Sequence, residues 1–267
     1  MLTDTIVELA EAGVVTGAKK SLERGKIVCS FCMGTQKLYK FIDNNPLVAV
    51  RPTSYVNDPQ VICRHENMTA INTAMEIDLT GQVCTDSAGE NFFSGIGGLI
   101  DFNRAAAKAK GGKSIIIIPA IDEQKRSRIV PKLKPGADVV LTRGDVHYVV
   151  SEYGVAYLHG KNVENRALAL ISIAHPDARQ FLFAEAIKEK LVRKEHAKVQ
   201  TGFVVAKSDN KTSIIVDDGI QVVFRPVQPT DEQSVRDLVY SVSKETVYQR
   251  FMSHVKQFRP TQILNYI

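Results

Sequence analysis

The sequence has no tryptophan, only four cysteines among 267 residues, and no long hydrophobic run. The apolar run 115–118, which Pro119 and Ala120 follow, is far too short to cross a bilayer. Met1 is followed by no basic and apolar leader of the secretory type. We therefore expect a cytoplasmic protein with no membrane partner.

The cysteines predict neither a disulfide framework nor a metal site. Cys29 and Cys32 have redox or metal spacing, but they lie in an apolar run that is typical of a buried strand. Cys63 and Cys84 are too far apart to form the second pair of a zinc site. We expect buried, reduced cysteines, because free cysteine packs as a small hydrophobe, and we expect no bound metal.

The charge is mildly positive and spread along the chain, at +5 with 24% charged residues. The sequence contains no basic tract and no interleaving of basic and aromatic residues, so it does not predict nucleic-acid binding. A positive balance suits a small polyanionic ligand without requiring one. The apolar content of 44% is that of a globular protein.

The segment from 27 to 50 predicts the fold class. Strand 27–31, helix 35–43 and strand 48–50 follow one another, which is the signature of an α/β layer with parallel strands. Ahead of them, Thr3 and Asp4 are predicted to cap a helix over 5–12.

Further elements follow from hydrophobic periodicity and turn residues. The predictions are a hairpin of 68–78 with 82–85, a helix beginning near Asp101, a strand over 114–119 buried on both faces, strands 127–130 and 139–141, helices 162–174 and 177–190, a strand over 221–224, and helices reaching about 240 and covering 243–251.

The segment Ser94-Gly95-Ile96-Gly97-Gly98 places three glycines in four residues before a predicted helix. Glycine can adopt positive φ and lets backbone N–H groups approach a ligand closely, and amides at a helix start favour an anion or an oxyanion. From the glycines alone, an ordinary tight turn is an equally good interpretation. A dinucleotide-binding dehydrogenase is disfavoured, because its fingerprint requires glycine where Ile100 stands.

Three polar residues have both a functional and a structural interpretation. Glu152 follows a strand predicted to end at Val150, and ligands bind at the carboxyl edge of open α/β sheets. The structural alternatives are a helix-start carboxylate for Glu152, a partly buried imidazole for His147, and a turn or cap for Asn57.

The composition changes after residue 191, where charged and then polar residues dominate. We predict a first domain over 1–195, a linker over 196–213 and a second domain over 214–267. The last segment is short for a core of its own.

Many ordered motifs of the first 190 residues resemble the C-terminal half of the acetyl-CoA hydrolase / 4-hydroxybutyrate CoA-transferase family. They are Asp4-x-x-x-x-Leu9-x-x-x-Gly13, Gly34-Thr35-x-x-Leu38-Tyr39, Tyr55-Val56-Asn57-Asp58-Pro59, Ile71-Asn72-x-Ala74-x-Glu76-x-Asp78-x-x-Gly81, Gly95-Ile96-Gly97-Gly98-x-x-Asp101-Phe102, Thr142-Arg143-x-Asp145-Val146-His147-Tyr148-Val149-Val150, Glu152-Tyr153-Gly154 and His175-Pro176.

The resemblance implies a CoA-transferase-like (NagB/RpiA-like) α/β lobe with a mixed, largely parallel sheet and flanking helices. It implies an enzyme whose glutamate attacks an acyl-CoA and passes through an acyl–glutamyl anhydride to a glutamyl-CoA thioester. Coenzyme A or acetyl-CoA is then the substrate, a small carboxylic acid or water is the acceptor, no cofactor is bound permanently, and the full-length protein is a homodimer.

The resemblance also assigns site residues. Asn57 is expected beside the nucleophile, Gly95, Gly97, Gly98 and Asp101 at the CoA and oxyanion site, and Glu152 as an active-site carboxylate. The family's nucleophile precedes the first helix, and Met1 aligns with the methionine that follows it. We therefore expect a fragment without the nucleophile and the N-terminal lobe, inactive alone. The alternative is a CoA-binding regulatory subunit without catalysis.

Residues 221–251 resemble the opening of a GNAT-type N-acetyltransferase. The matching stretches are Phe224-Arg225-Pro226-Val227-x-Pro229-x-Asp231 and Ser243-x-Glu245-x-x-Tyr248-x-Arg250-Phe251. The resemblance implies a truncated α+β segment over 214–267.

Overall fold

The computed structural model describes residues 1–193, 212–216, 220–224 and 232–251, and these fall into two compact units. The first unit comprises 1–77, 82–118 and 133–148; the second comprises 78–81, 119–132 and the described residues from 149 onward. Except for residues 212 and 213, the predicted linker lies outside the described residues, so the predicted domain limits stay a prediction.

The first unit mixes short helices and strands. Its helices are α1 (Thr5–Glu11), α2 (Gln36–Ile42), α3 (Thr53–Val56), α4 (Pro59–Ile62) and α5 (Leu99–Lys108). Its strands are β1 (Ile27–Cys29), β2 (Val48–Val50), β3 (Thr69–Thr73), β4 (Glu76–Asp78, whose last residue belongs to the second unit), β5 (Val83–Cys84), β6 (Ser87–Ala88), β7 (Asn91–Phe92) and β8 (Lys113–Ile117).

The predicted strand–helix–strand order over 27–50 is confirmed. Strands β1 and β2 pair in parallel, with Ile27 opposite Val48. Helix α2 begins after Thr35, whose Oγ1 accepts a hydrogen bond from the amide of Lys37 at 3.3 Å. Leu38 is fully buried, and a core forms between these elements and α1 from Leu2, Val7, Ile27, Cys29 and Leu38. The α/β class follows from this arrangement.

The hairpin predicted over 68–85 is only partly correct. Strand β3 pairs in parallel with β8, while β4 pairs antiparallel with β5. Alternation of polar and apolar residues predicts a strand but not its partner. The prediction that β8 is buried on both faces is also wrong, because Ile117 is 38% exposed while Ile116 is buried.

Two predictions about single residues are wrong as well. The side chain of Asp4 does not cap α1; its carboxylate accepts hydrogen bonds from the Thr35 hydroxyl at 2.8 Å and the Thr35 amide at 3.1 Å. These bonds join α1 to α2 and lower the pKa of Asp4. Cys29 and Cys84 are buried as predicted, but Cys32 and Cys63 are only half-buried.

The second unit carries longer helices. Its elements up to residue 193 are β9 (Ile129–Val130), β10 (Tyr148–Ser151, whose first residue belongs to the first unit), β11 (Gly154–Tyr157), α6 (Val163–Ser172) and α7 (Pro176–Lys188). The two predicted helices are confirmed, and the side chains of Asn162 and His175 cap them. Leu158, Leu170 and Leu182 are fully buried beside them. In the first unit, the strand predicted over 139–141 is not formed. Leu141 makes only an isolated β-bridge with Val83 of the same unit.

The described residues beyond 211 form an antiparallel hairpin and two helices. They are β12 (Thr212–Val216), β13 (Ile220–Phe224), α8 (Glu232–Ser241) and α9 (Lys244–Phe251). The predicted strand and both helices are confirmed, whereas β12 was not predicted. Leu238, which helical periodicity places on the inward face, is 62% exposed. Among the described helices, none is long and apolar enough to cross a membrane.

Candidate functional site

The glycine loop lies between β7 and α5 in the first unit. Gly95 and Gly97 are exposed, and Gly98 is the N-cap of α5 with φ −71°. None of these three glycines has a positive φ. The left-handed backbone that glycine permits is therefore not adopted at these three positions.

Gly98 is instead required by a close neighbour. A Cβ atom at this position would collide with the Asn57 Nδ2 atom and would lie 3.1 Å from its Cγ atom. A Cβ at Gly95 or Gly97 would meet nothing within 4 Å. The structure thus brings Asn57 and Gly98 together, two residues that the sequence selected separately.

Asn57 is positioned by a break between two short helices. It ends α3, where its amide donates to the Thr53 carbonyl at 2.9 Å. The next residue, Asp58, caps α4 by accepting a hydrogen bond from the Gln60 amide at 2.8 Å, and Pro59 opens that helix. The predicted turn or cap role is therefore confirmed for this segment, and it leaves the Asn57 side chain at the junction.

The start of α5 faces this junction. The amide of Phe102 donates to the Gly98 carbonyl at 3.1 Å, which is the first hydrogen bond of the helix. The N–H groups of the first turn have no partner within a helix, and the helix dipole favours negative charge there. Asp101 lies half-buried in this turn. We call Asn57, Gly98 and the first turn of α5 the Asn57–Gly98 corner.

Glu152 lies in the second unit, in the turn between β10 and β11. Its side chain is exposed, and its Oε2 atom accepts a hydrogen bond from the Ala120 amide at 2.8 Å. No helix starts at this residue, so the interpretation as a helix-start carboxylate is wrong. Gly154 completes the turn with φ +144°.

The residue after Glu152 is fixed by aromatic and cationic contacts. The Tyr153 ring packs edge-on against His175, with 5.3 Å between ring centroids. The Arg179 guanidinium lies 5.8 Å from the centre of the Tyr153 ring, and the Tyr153 amide donates to Ser151 Oγ at 3.1 Å. A cation over a ring face is favourable, so the turn that presents Glu152 is anchored on the α7 side.

A cavity of about 950 Å³ adjoins the Asn57–Gly98 corner within the first unit. Tyr55 and Val56, the residues before Asn57, line it together with Phe102 of α5. Its lining also includes Lys20 and His65, and burial lowers the pKa of both side chains. The volume lies in the range of small-molecule sites, and no sequence motif indicated it.

Within the part of the chain that the structure describes, no group of three His, Cys, Asp or Glu side chains could hold a metal ion. His147 is half-buried at the start of β10.

Comparison with known proteins gives one consistent result. Residues 34–186 match the family model described as the acetyl-CoA hydrolase/transferase C-terminal domain. The 4-hydroxybutyrate coenzyme A transferase of Clostridium kluyveri is 51% identical over 186 residues, covering 69% of this chain and 43% of the relative. A probable butyrate:acetyl-CoA coenzyme A-transferase of Syntrophomonas wolfei is 43% identical over 199 residues, covering 73% and 44%.

Solved structures agree with these relatives. The crystal structure of RipA from Yersinia pestis has a TM-score of 0.68 and 39% identity, covering 72% of this chain and 43% of that chain. The 4-hydroxybutyrate CoA-transferase from Porphyromonas gingivalis has a TM-score of 0.61 and 39% identity, covering 71% and 44%. The chain therefore spans less than half the length of each of these relatives.

Proposed function

The chain belongs to the family of the acetyl-CoA hydrolase/transferase C-terminal domain, a family of enzymes, and from this we propose that it is the C-terminal lobe of a CoA-transferase or acyl-CoA hydrolase. The contact between Asn57 and Gly98 carries the proposal. It places a side-chain amide beside the N-terminus of a helix, and both are donors suited to a carbonyl oxygen that gains negative charge.

The proposed reaction runs through covalent intermediates. A glutamate carboxylate attacks the thioester carbon, the C–S bond breaks, and an acyl–glutamyl anhydride forms with release of the CoA thiolate. The thiolate then attacks the glutamyl carbonyl, which releases the carboxylate product and leaves a glutamyl-CoA thioester. A second carboxylate repeats the sequence in reverse, which forms its own acyl-CoA and frees the glutamate. Water instead hydrolyses the glutamyl-CoA thioester to free glutamate and free CoA. Each addition puts charge on an oxygen, and we propose that Asn57 Nδ2 and the backbone amides at the start of α5 stabilise this charge.

The nucleophile belongs, in this proposal, to a segment ahead of Met1, together with an N-terminal lobe. Glu8 and Glu11 are exposed on α1, and Glu8 is paired with Lys37 at 3.1 Å. We therefore propose neither of these helix-surface carboxylates as the nucleophile.

Glu152 is proposed as a further active-site carboxylate. The Ala120 amide engages one of its two oxygens, which fixes the direction of the group. The change Glu152→Gln keeps an oxygen for that hydrogen bond and removes the charge. A loss of turnover with an unchanged melting temperature in an active enzyme would separate the catalytic role from the structural one.

The substrates follow from the family. We propose coenzyme A and acetyl-CoA as substrates, with Gly95, Gly97 and Asp101 beside them, and a small carboxylic acid as the partner substrate. The relatives include 4-hydroxybutyrate and butyrate transferases, so short carboxylates are the first to test. A NagB/RpiA-like lobe, a cytoplasmic homodimer and the absence of a permanent cofactor complete the proposal.

For the segment 214–267 we propose the opening of a GNAT-type domain. The order of β13, α8 and α9 agrees with the strand and two helices expected there, and the family match ends earlier, at residue 186. Deletion of 214–267 is expected to leave acetyl-CoA binding by the first part of the chain unchanged.

The direct test is acetyl-CoA binding to residues 1–267 by calorimetry. Wild type is expected to bind, and Asn57→Ala is expected to weaken binding about tenfold, the scale of one lost hydrogen bond to a polar ligand atom. Lys108→Ala, an exposed change at the other end of α5, is the control. Absence of binding by the folded wild type would contradict the proposal.

A further inference from the structure

Helix α5 is tied to the first unit by a buried chain of hydrogen bonds. Asn103 and Ser114 are both fully buried. Ser114 Oγ donates to Asn103 Oδ1 at 2.6 Å, and Asn103 Nδ2 donates to the Asp145 carbonyl at 2.7 Å. Both ends of the Asn103 amide are therefore bonded, one to strand β8 and the other to the loop that precedes β10.

A second tie lies one residue further along the helix. The Arg104 Nε and Nη2 atoms donate to the two carboxylate oxygens of Asp145, each at 2.9 Å. Thr142 Oγ1 donates to the same carboxylate at 2.9 Å. A bidentate pair of this kind fixes direction as well as distance, so Asp145 holds α5 through both its backbone and its side chain.

These ties lie close to the Asn57–Gly98 corner. Asn103 and Arg104 follow Gly98 by five and six residues, about one and a half helical turns. Since no Cβ fits between Gly98 and Asn57, a small rotation or slide of α5 changes that contact. An apolar residue at 103 could bury the same helix face, whereas directional hydrogen bonds also fix the register of the helix.

We infer that Asn103 and Arg104 are positioning residues, which place the first turn of α5 against Asn57 through Ser114 and Asp145. The catalytic meaning of this placement rests on the proposed function. The placement itself can be tested without turnover.

The test is amide hydrogen exchange by NMR on residues 1–267. The reporter is the Phe102 amide, which donates to the Gly98 carbonyl, together with the side-chain amide signal of Asn57. Asn103→Ala is expected to speed exchange at Phe102 about tenfold, the scale of a locally opened helix end, and to move the Asn57 signal. Arg104→Lys, which keeps the charge and loses the fork, is expected to do so to a smaller extent.

Two controls separate positioning from general destabilisation. Lys108→Ala changes an exposed residue of the same helix and is expected to leave both reporters unchanged. The Ala74 amide, which donates to Ile117 at 2.9 Å, reports on the neighbouring β3 and β8 strands and is expected to stay protected. Faster exchange at Ala74 to the same degree, or no change at Phe102, would overturn the inference.

Should Asn103→Ala fail to fold, Ser114→Ala removes a single donor from the chain and is judged by the same reporters. If wild type binds no acetyl-CoA, the proposed function fails, while the exchange measurement still decides whether Asn103 and Arg104 position α5.

Discussion

At the scale of single residues, two different reasons for glycine occur in this chain. Gly81 has φ +93°, a conformation that side chains rarely adopt. Gly98 has an ordinary φ and is glycine because Asn57 occupies the space of its Cβ. A sequence shows both as the same letter, so only the surroundings tell a backbone requirement from a packing requirement.

The first prediction concerns Gly98→Ala. The backbone at this position suits alanine, so folding should be retained, but the new methyl group must displace the Asn57 amide. We expect acetyl-CoA affinity to fall about tenfold and turnover in an active enzyme to fall about 10²-fold, the scale of one oxyanion donor. Calorimetry measures the affinity, and formation of the new acyl-CoA, or of free CoA where water is the acceptor, measures the turnover.

The neighbouring glycines supply the matched controls. Gly95→Ala and Gly97→Ala add a methyl group where nothing lies within 4 Å, and both are expected to bind acetyl-CoA as wild type does. Equal losses in all three variants would mean that loop flexibility, and not the contact with Asn57, determines binding.

The turn before β5 provides a second prediction at the residue scale. Arg166 is buried, and its Nε and Nη1 atoms donate to the carbonyls of Thr80 at 2.8 Å and Leu158 at 2.7 Å. In Gly81→Ala the new Cβ would lie 2.6 Å from Arg166 Nη2. We expect the free energy of unfolding to fall by about 3 kcal/mol, from left-handed strain of about 1–2 kcal/mol and the disturbed guanidinium.

Gly160→Ala is the reference that separates the effect of the disturbed guanidinium from the backbone strain. Gly160 has φ +73° and open space around it, so its variant carries the backbone strain alone. Urea unfolding of both variants measures the difference. If the two lose the same stability, the Arg166 contact contributes nothing.

At the scale of elements, helix α5 combines a buried amide with a surface ion pair. The hydrogen bonds from Arg104 hold the pKa of Asp145 below its ordinary value. A carboxyl group with a lowered folded pKa contributes stability above its unfolded pKa, about 3.9. That contribution is lost as the pH falls below this value towards the folded pKa.

The third prediction follows from the lowered pKa of Asp145, which makes the ion pair stabilising only at the higher pH. Arg104→Ala should lower the urea midpoint relative to wild type at pH 6, and the difference should shrink as the pH is lowered from about 4 to about 3. Lys108→Ala should show no such pH dependence. A difference for Arg104→Ala that stays constant over the same range would exclude Asp145 as its source.

The elements also show how far the sequence could be interpreted. Helices α2, α6 and α7 were predictable because each begins at a capping side chain. Hydrophobic residues at helical spacing support α2 and α6 as well, whereas α7 is marked mainly by His175 and Pro176 at its start. The partner of β3 was not, because β8 lies about forty residues further along the chain and alternation specifies no partner. Asn57 and Gly98 were selected through motifs, but the ties from Asn103 and Arg104 to Asp145 join residues that share no periodic pattern.

At the scale of the whole molecule, the chain spans 43% of the Clostridium kluyveri relative. The residues just ahead of Gly97 leave large apolar side chains in solvent: Phe92 is 58%, Phe93 67% and Ile96 63% exposed. Exposed apolar groups that adjoin one another mark contact surfaces. In the proposed enzyme, this loop therefore carries both the donors of the Asn57–Gly98 corner and an apolar approach to them.

The fourth prediction is that residues 1–267 bind acetyl-CoA without turning it over. In the proposed glutamyl-CoA reaction the Asn57–Gly98 corner stabilises an oxyanion, but the reaction also needs a carboxylate nucleophile, and Glu8 and Glu11 are exposed on α1. Mixing the chain with acetyl-CoA and labelled acetate, succinate or water should form no labelled acetyl-CoA, no succinyl-CoA and no free CoA thiol, respectively, at ordinary enzyme rates of about 1 s⁻¹ or more. Adding the N-terminal lobe of the Clostridium kluyveri relative is expected to restore turnover, and a Glu152→Gln chain is expected not to support it. Turnover by residues 1–267 alone would require a nucleophile within this chain, whereas folded lobes that bind each other without activity would favour a regulatory CoA-binding subunit.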